Sequence, residues 1–154
     1  MSKIKVLFVC TGNTCRSPMA AGLFCDLIAK KGLSEHFEVL SGGIYANAGE
    51  PASQNSVEAM KEYEIDITGH SSQRINQDVL EQADYICALT DAHKQMLVSA
   101  VPEITLRCYS CNELAKTEIG DPYGSDLARY RLCAARIQKA VEALWQIIEK
   151  NLDQ

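Results

Sequence analysis

Ile4-Lys5-Val6-Leu7-Phe8-Val9-Cys10-Thr11-Gly12-Asn13-Thr14-Cys15-Arg16-Ser17-Pro18 reads as strand, tight polar turn and helix start. Its first seven residues are β-rich and mostly apolar, as in a strand buried on both faces of a parallel sheet. Ser17 is a favoured helix N-cap and Pro18 a favoured first helical residue, so a helix is expected from there. It should run through Met19, Leu23, Leu27 and Ile28 and stop near Gly32. This is the opening of a βαβ unit.

Outward from that stretch the alternation continues. Phe37–Leu40 reads as a second strand ended by Ser41-Gly42-Gly43, and Glu50-Pro51-Ala52-Ser53 as a loop entering a helix with Val57, Met60 and Lys61. Ala83–Leu89 reads as a third strand, with Asp91 able to cap the helix after it, and Ile104–Cys108 as a fourth. Leu127, Tyr130, Ala134, Ile137, Val141, Leu144 and Ile148 recur at three and four residues, the spacing of one apolar helix face. Strands alternating with helices through short turns predict an α/β fold: a doubly wound parallel sheet with helices on both faces. No repeat, low-complexity tract or linker interrupts residues 1–154, which read as a single domain. In such sheets ligands bind at the carboxyl ends of strands, so the loop after the first strand is the first place to look.

The 154 residues suit one core, and 47% hydrophobic with 23% charged residues is ordinary globular composition, which excludes disorder and collagen-like repeats. The net charge of −5, with no basic stripe, argues against a nucleic-acid partner held by phosphate contacts. The first apolar run is too short for a secretory signal or a membrane span. Seven cysteines, an odd number, then point to free thiols in a reducing cytoplasm instead of a disulfide framework. Cys108-Tyr109-Ser110-Cys111 has no second pair, and His36, His70 and His93 show no ligand spacing, so no metal site is expected. Cys25, Cys87 and Cys133 sit on apolar periodicity and are expected in the core.

The chemistry concentrates between Cys10 and Ser17. A thiol at a strand end, facing exposed N–H groups and the positive end of a helix dipole, is favoured as thiolate. Arg16 adds a fixed cation whose planar fork can hold two phosphoryl oxygens. Gly12 and Asn13 tolerate the left-handed conformations that an anion-cradling nest requires. The device is a phosphate cradle with a nucleophilic sulfur at its floor, suited to a cysteinyl-phosphate intermediate. Ser17 is placed to hydrogen-bond the thiolate and help sulfur leave.

Cys10-Thr11-Gly12-Asn13-Thr14-Cys15-Arg16-Ser17-Pro18-Met19-Ala20 closely resembles the active-site loop of the low-molecular-weight protein-tyrosine-phosphatase family. Ser41-Gly42-Gly43, Gly69-His70, the Ala83–Leu89 segment and Asp121-Pro122-Tyr123-Gly124 fall in the family's order, so the resemblance spans nearly the whole chain. It implies a four-stranded parallel sheet, no metal or other cofactor, phosphorylated protein substrates, and a monomer in the cytoplasm. It also implies roles: Cys10 as nucleophile, Arg16 as phosphate clamp, Asp121 as general acid and then base, and Thr11, Gly12, Asn13, Thr14, Cys15 and Ser17 as the cradle. Asn13, Ser41 and His70 match positions that brace the loop. Tyr45 and Tyr123 are either rim residues touching substrate or half-buried wall residues. Cys15 either pairs reversibly with Cys10 or packs passively.

The substrate turns on Thr14. Tyrosine-specific relatives commonly carry an aliphatic residue there, whereas bacterial relatives acting on phosphoarginine carry threonine in a loop spelled as here. A hydroxyl beside phosphorus suits a polar guanidinium better than a phenyl ring, and Asp121 would both bind that group and protonate its departing nitrogen. Phosphoarginine is therefore the expected substrate, with phosphotyrosine the alternative. Two rivals are weaker. Thioredoxin-coupled arsenate reductases share the loop but need closely spaced cysteines at and after the third strand's end, where Leu89-Thr90-Asp91-Ala92-His93-Lys94 has none. A sugar-transport phosphocarrier domain has no need of Arg16 or Asp121.

Overall fold

Val6, Phe8 and Cys10 alternate with Leu7 and Val9 along strand β1 (Ile4–Cys10), and the two sets enter different cores. Successive strand side chains point to opposite faces, so an unbroken apolar run needs cover on both. The structure, a computed structural model describing residues 2–153, supplies that cover. After β1 come α1 (Arg16–Lys30), β2 (Phe37–Gly43), α2 (Gln54–Lys61), α3 (Gln77–Gln82) and β3 (Tyr85–Ala88). Then follow α4 (Asp91–Ala100), β4 (Cys108–Ser110), α5 (Cys111–Ala115) and α6 (Leu127–Leu152). Phe24 of α1, Met60 of α2 and Ile137 and Leu144 of α6 cover one face. Leu80 of α3, Leu97 of α4 and Ile104 cover the other. The predicted doubly wound architecture is what the chain forms.

All four strands are parallel, in the order β2-β1-β3-β4. β2 lies on one side of β1 and β3 on the other. The winding direction therefore reverses beside β1, which opens a crevice at the carboxyl ends of β1 and β3.

Several local expectations are corrected. Helix α1 begins at Arg16, with Cys15 at the cap position and no side-chain cap, because the Ser17 hydroxyl is engaged by Cys10 and Asn13. The expected fourth strand Ile104–Cys108 is instead a 3-10 turn, Pro102–Arg107, followed by β4. That turn separates Ile104, fully buried, from Leu106, 94% exposed, two residues that a strand would put on one face. Thr90, not Asp91, caps α4; the Asp91 carboxylate accepts from Ser110 and Asn112 instead, which lowers its pKa. Short helices α3 and α5 were not anticipated; Asn76 caps the first and a Ser110–Glu113 capping box the second. Cys25 is exposed, one step off the buried stripe of α1, while Cys87 and Cys133 are buried as expected.

The second strand continues through the residues expected to end it, and pairs Cys10 with Gly43. This brings Gly43 against the loop after β1: a Cβ there would lie 2.5 Å from the Thr11 carbonyl oxygen and 2.8 Å from the Ala46 Cβ. Gly43→Ala must push the loop away. It is expected to cost about 1–3 kcal/mol in urea unfolding, the usual cost of overpacking, and to weaken competitive inhibition by inorganic phosphate.

Candidate active site

β1 delivers Cys10 to the crevice almost fully buried, with its Sγ 2.9 Å from Ser17 Oγ. Asn13 carries the bend that follows. Its φ of 59° is left-handed, as its residue type suggested. Of the two residues that tolerate that conformation, Asn13 adopts it and Gly12 does not. The Asn13 side chain donates to Ser17 Oγ at 2.7 Å and to Ser41 Oγ at 3.0 Å, and its Oδ1 accepts from Gln73 N at 2.9 Å. His70 Nε2 donates to the Asn13 carbonyl at 2.6 Å. Ser17 thus accepts from Asn13, which leaves its own proton for the Cys10 sulfur.

Arg16 is buried, and its Nη1 donates to the Ile119 carbonyl at 2.9 Å. Its Nη2 faces Thr11 Oγ1 at 3.3 Å and Asp121 Oδ2 at 3.8 Å. The Asp121 side chain is 56% exposed, and its other oxygen accepts from Tyr123 N at 3.0 Å. One carboxylate is thereby held over the pocket beside the guanidinium.

Cys10, Thr11, Gly12, Thr14, Cys15, Arg16, Tyr45, Asp121 and Tyr123 line a single pocket. Tyr45 and Tyr123 are exposed and form its rim. Asn13 and Ser17 lie beneath, fully buried, and Ser41 and His70 both hydrogen-bond to Asn13 there. Cys15 Sγ also meets Ser53 Oγ at 3.4 Å and the Tyr130 hydroxyl at 3.3 Å. Burial, helped by Cys15, pushes the Tyr130 hydroxyl up to about 12. Cys108 and Cys111 belong to opposite faces of the sheet, and Cys111 Sγ lies 3.9 Å from Cys87 Sγ.

Sequence reasoning missed Ala46, Asn47 and Glu50, which complete the pocket wall. Ser72, itself buried, receives a hydrogen bond from Glu50 N at 2.8 Å and donates to the Asn47 carbonyl, fixing that segment. It also missed His93, which reaches Thr11 Oγ1 through Nε2 at 2.8 Å. The signal available for His93 was its place in the first turn after the third strand's carboxyl end.

Residues 5–154 match the family model described as low molecular weight phosphotyrosine protein phosphatase. Among curated relatives, the protein-arginine-phosphatase of Bacillus subtilis is 31% identical over 95% of this chain and 97% of its own length. An arsenate reductase of Oceanobacillus iheyensis is 36% identical over 77% of this chain and 79% of its own. Among solved structures, a low molecular weight protein tyrosine phosphatase from T. tengcongensis superposes with a TM-score of 0.86 at 37% identity, covering 94% of this chain and 99% of that one. The chain belongs to the low molecular weight protein-tyrosine-phosphatase family and is a protein phosphatase of that family. No helix among the described residues is long and apolar enough to cross a membrane.

Two measurements test this geometry. Asn13→Ala strands several buried partners, each worth about 1–3 kcal/mol when left unmade. It should lower both the urea midpoint and kcat/KM, whereas Ser41→Ala, which removes one partner, should do less. Burial, reinforced by Arg16 and opposed by Asp121, holds His93 down to about 4, against 6.5 for a free imidazole. Between those values the unfolded chain takes up a proton that the folded chain refuses, so His93 lowers stability as pH falls from 6.5 towards 4. The stability gap between wild type and His93→Gln should therefore narrow from pH 7 to pH 4.5.

Proposed function

We propose that this phosphatase hydrolyses phosphoarginine in proteins, with Cys10 as nucleophile, Arg16 as phosphate clamp and Asp121 as acid and base. The Cys10 sulfur attacks phosphorus, the P–N bond breaks, and the departing guanidine nitrogen takes the Asp121 proton. Water then attacks the cysteinyl-phosphate, returning a proton to Asp121, while the bond to sulfur breaks and the Ser17 hydroxyl donates to the leaving thiolate. Arg16 binds the equatorial oxygens through the transition state. Ser41 and His70 brace the loop, and Tyr45 and Tyr123 flank the entering side chain. A phosphorylated protein is the only partner this scheme needs, and a cytoplasmic monomer suffices for it.

The observation that carries the substrate is the make-up of the pocket above the sulfur. Thr14, whose Oγ1 lies 3.8 Å from Cys15 Sγ, and the acidic residues Asp121 and Glu50 line the same pocket. A phosphoguanidine bears a cation directly beside its phosphoryl group and gains from such carboxylates; a phenyl ring does not. The Bacillus subtilis arginine phosphatase, similar over nearly the full length of both chains, supports the same reading. The tyrosine phosphatase likeness supports the alternative, phosphotyrosine. An arsenate reductase reading, raised by the Oceanobacillus relative, is disfavoured: Cys87 lies inside β3, wholly buried against Cys111, and α4 starts without a thiol.

The test is kcat/KM for phosphoarginine and phosphotyrosine side by side, with Cys10→Ser as blank. Phosphoarginine is expected to be preferred at least tenfold, and Thr14→Ile to shift the ratio towards phosphotyrosine. Asp121→Asn should lower kcat about 10²–10⁴-fold, the range for loss of a positioned acid. A wild-type preference for phosphotyrosine would overturn the substrate assignment and leave the mechanism standing. No turnover above the blank would overturn both.

A further inference from the structure

Thr11 Oγ1 is the meeting point of two buried nitrogen groups from different elements: Arg16 Nη2 at 3.3 Å and His93 Nε2 at 2.8 Å. His93 stands in the first turn of α4, across the crevice from the β1 loop. That turn is firmly held. Thr90 Oγ1 accepts from His93 N at 3.1 Å, and the neighbouring Asp91 carboxylate is held by Ser110 at 2.6 Å and Asn112 at 2.9 Å. The His93 ring is buried, and among the described residues its Nδ1 reaches no hydrogen-bond partner.

These contacts fix the direction of a proton. Arg16 is always a donor. The tautomer with hydrogen on Nε2 gives that hydrogen a partner and leaves only a bare acceptor at Nδ1, whereas the other tautomer buries an unpaired N–H. Two donors then occupy both lone pairs of Thr11 Oγ1, so its single hydroxyl proton points elsewhere. Thr11 lines the pocket, and an oxyanion bound there would accept that proton.

We infer that His93 is a positioning residue of the phosphate cradle: by donating to Thr11 Oγ1 it commits the Thr11 hydroxyl to donate into the pocket, to a phosphoryl oxygen. The cradle so gains one oriented side-chain donor beside its backbone N–H groups and Arg16. The inference rests on the reading that the pocket receives a phosphoryl group. It does not require His93 to exchange a proton, since burial and Arg16 keep the ring neutral, with only Asp121 opposing them.

The test is calorimetric binding of tungstate, a phosphate-like oxyanion that needs no turnover, alongside kcat and KM. His93→Leu is expected to weaken tungstate about tenfold, the scale of one hydrogen bond to an anion. His93→Gln, whose amide reaches the same place as Nε2, should recover most of that loss. In a Thr11→Val background, His93→Leu should cost less than twofold more, because the hydroxyl through which it acts is gone. Thr11→Ser should keep both affinity and sensitivity to His93. The inference is overturned if His93→Leu binds tungstate like wild type, if His93→Gln is as weak as His93→Leu, or if the losses simply multiply with Thr11→Val. Should His93→Leu fail to fold, His93→Asn, which cannot span to Thr11, takes its place. A wild type that binds tungstate but hydrolyses neither phosphoamino acid would overturn the proposed function alone. A wild type that binds no tungstate would overturn the inference.

Discussion

The chain must turn from the end of β1 into α1 within the five residues Thr11–Cys15, and one fully buried amide holds that turn in place. Asn13 takes a left-handed backbone conformation that few residue types adopt at low cost. Both its side-chain donors, its side-chain acceptor and its carbonyl are satisfied, by Ser17, Ser41, Gln73 and His70. In a buried setting an unmade hydrogen bond costs more than a made one contributes, so alternative arrangements of this loop are penalised several times over. The same network has a chemical consequence. Because Ser17 accepts from Asn13, its proton is directed to sulfur, and a group that shapes the loop also orients a hydrogen bond onto Cys10.

Electrostatics in the pocket are local. The chain carries a net charge of −5, yet charges beyond about 8–10 Å are screened in physiological salt, while Arg16 sits buried at the cradle. Its guanidinium is anchored by the Ile119 carbonyl, so its second nitrogen has little freedom and presents a fixed direction to an entering oxyanion. Negative charge is carried by Asp121 and Glu50, which line the same pocket. A cation at the floor and carboxylates at the wall would complement a substrate group that is itself dipolar, negative at phosphorus and positive one bond away.

How much of this was legible in the sequence follows from range. β1, the loop and α1 were readable because the apolar run Ile4–Cys10 and the Gly12 to Pro18 signals are contiguous. α6 was readable because 26 residues carry the helical period many times over. The reading of Ser17 as a cap went wrong for a physical reason: an oxygen suited to cap a helix is equally suited to meet a thiol and an amide. α3 and α5, of six and five residues, are too short to display a period. The Ile104–Leu106 stretch has strand composition, and only the 3-10 turn after Pro102 settles which side chain goes inside. Glu50 and His93 carry no motif. His93 reaches Thr11 across 82 residues because the sheet order sets β3 beside β1, a fact of topology that local sequence does not state.

That topology also bears on what this scaffold is equipped to do. The carboxyl end of β3 is the second wall of the crevice, and whatever stands there works on the same cradle as Cys10. A thiol relay would need sulfur on that wall within reach of Cys10. Here the thiol of β3, Cys87, lies one register row below the crevice, at the level of Phe8, where contact with Cys111 and burial keep it protonated. The position that does face the cradle carries an imidazole bonded to a cradle hydroxyl. Under the proposed hydrolysis this wall would orient a donor toward an oxyanion, and the burial of Cys87 leaves it without a thiol placed to take electrons from Cys10.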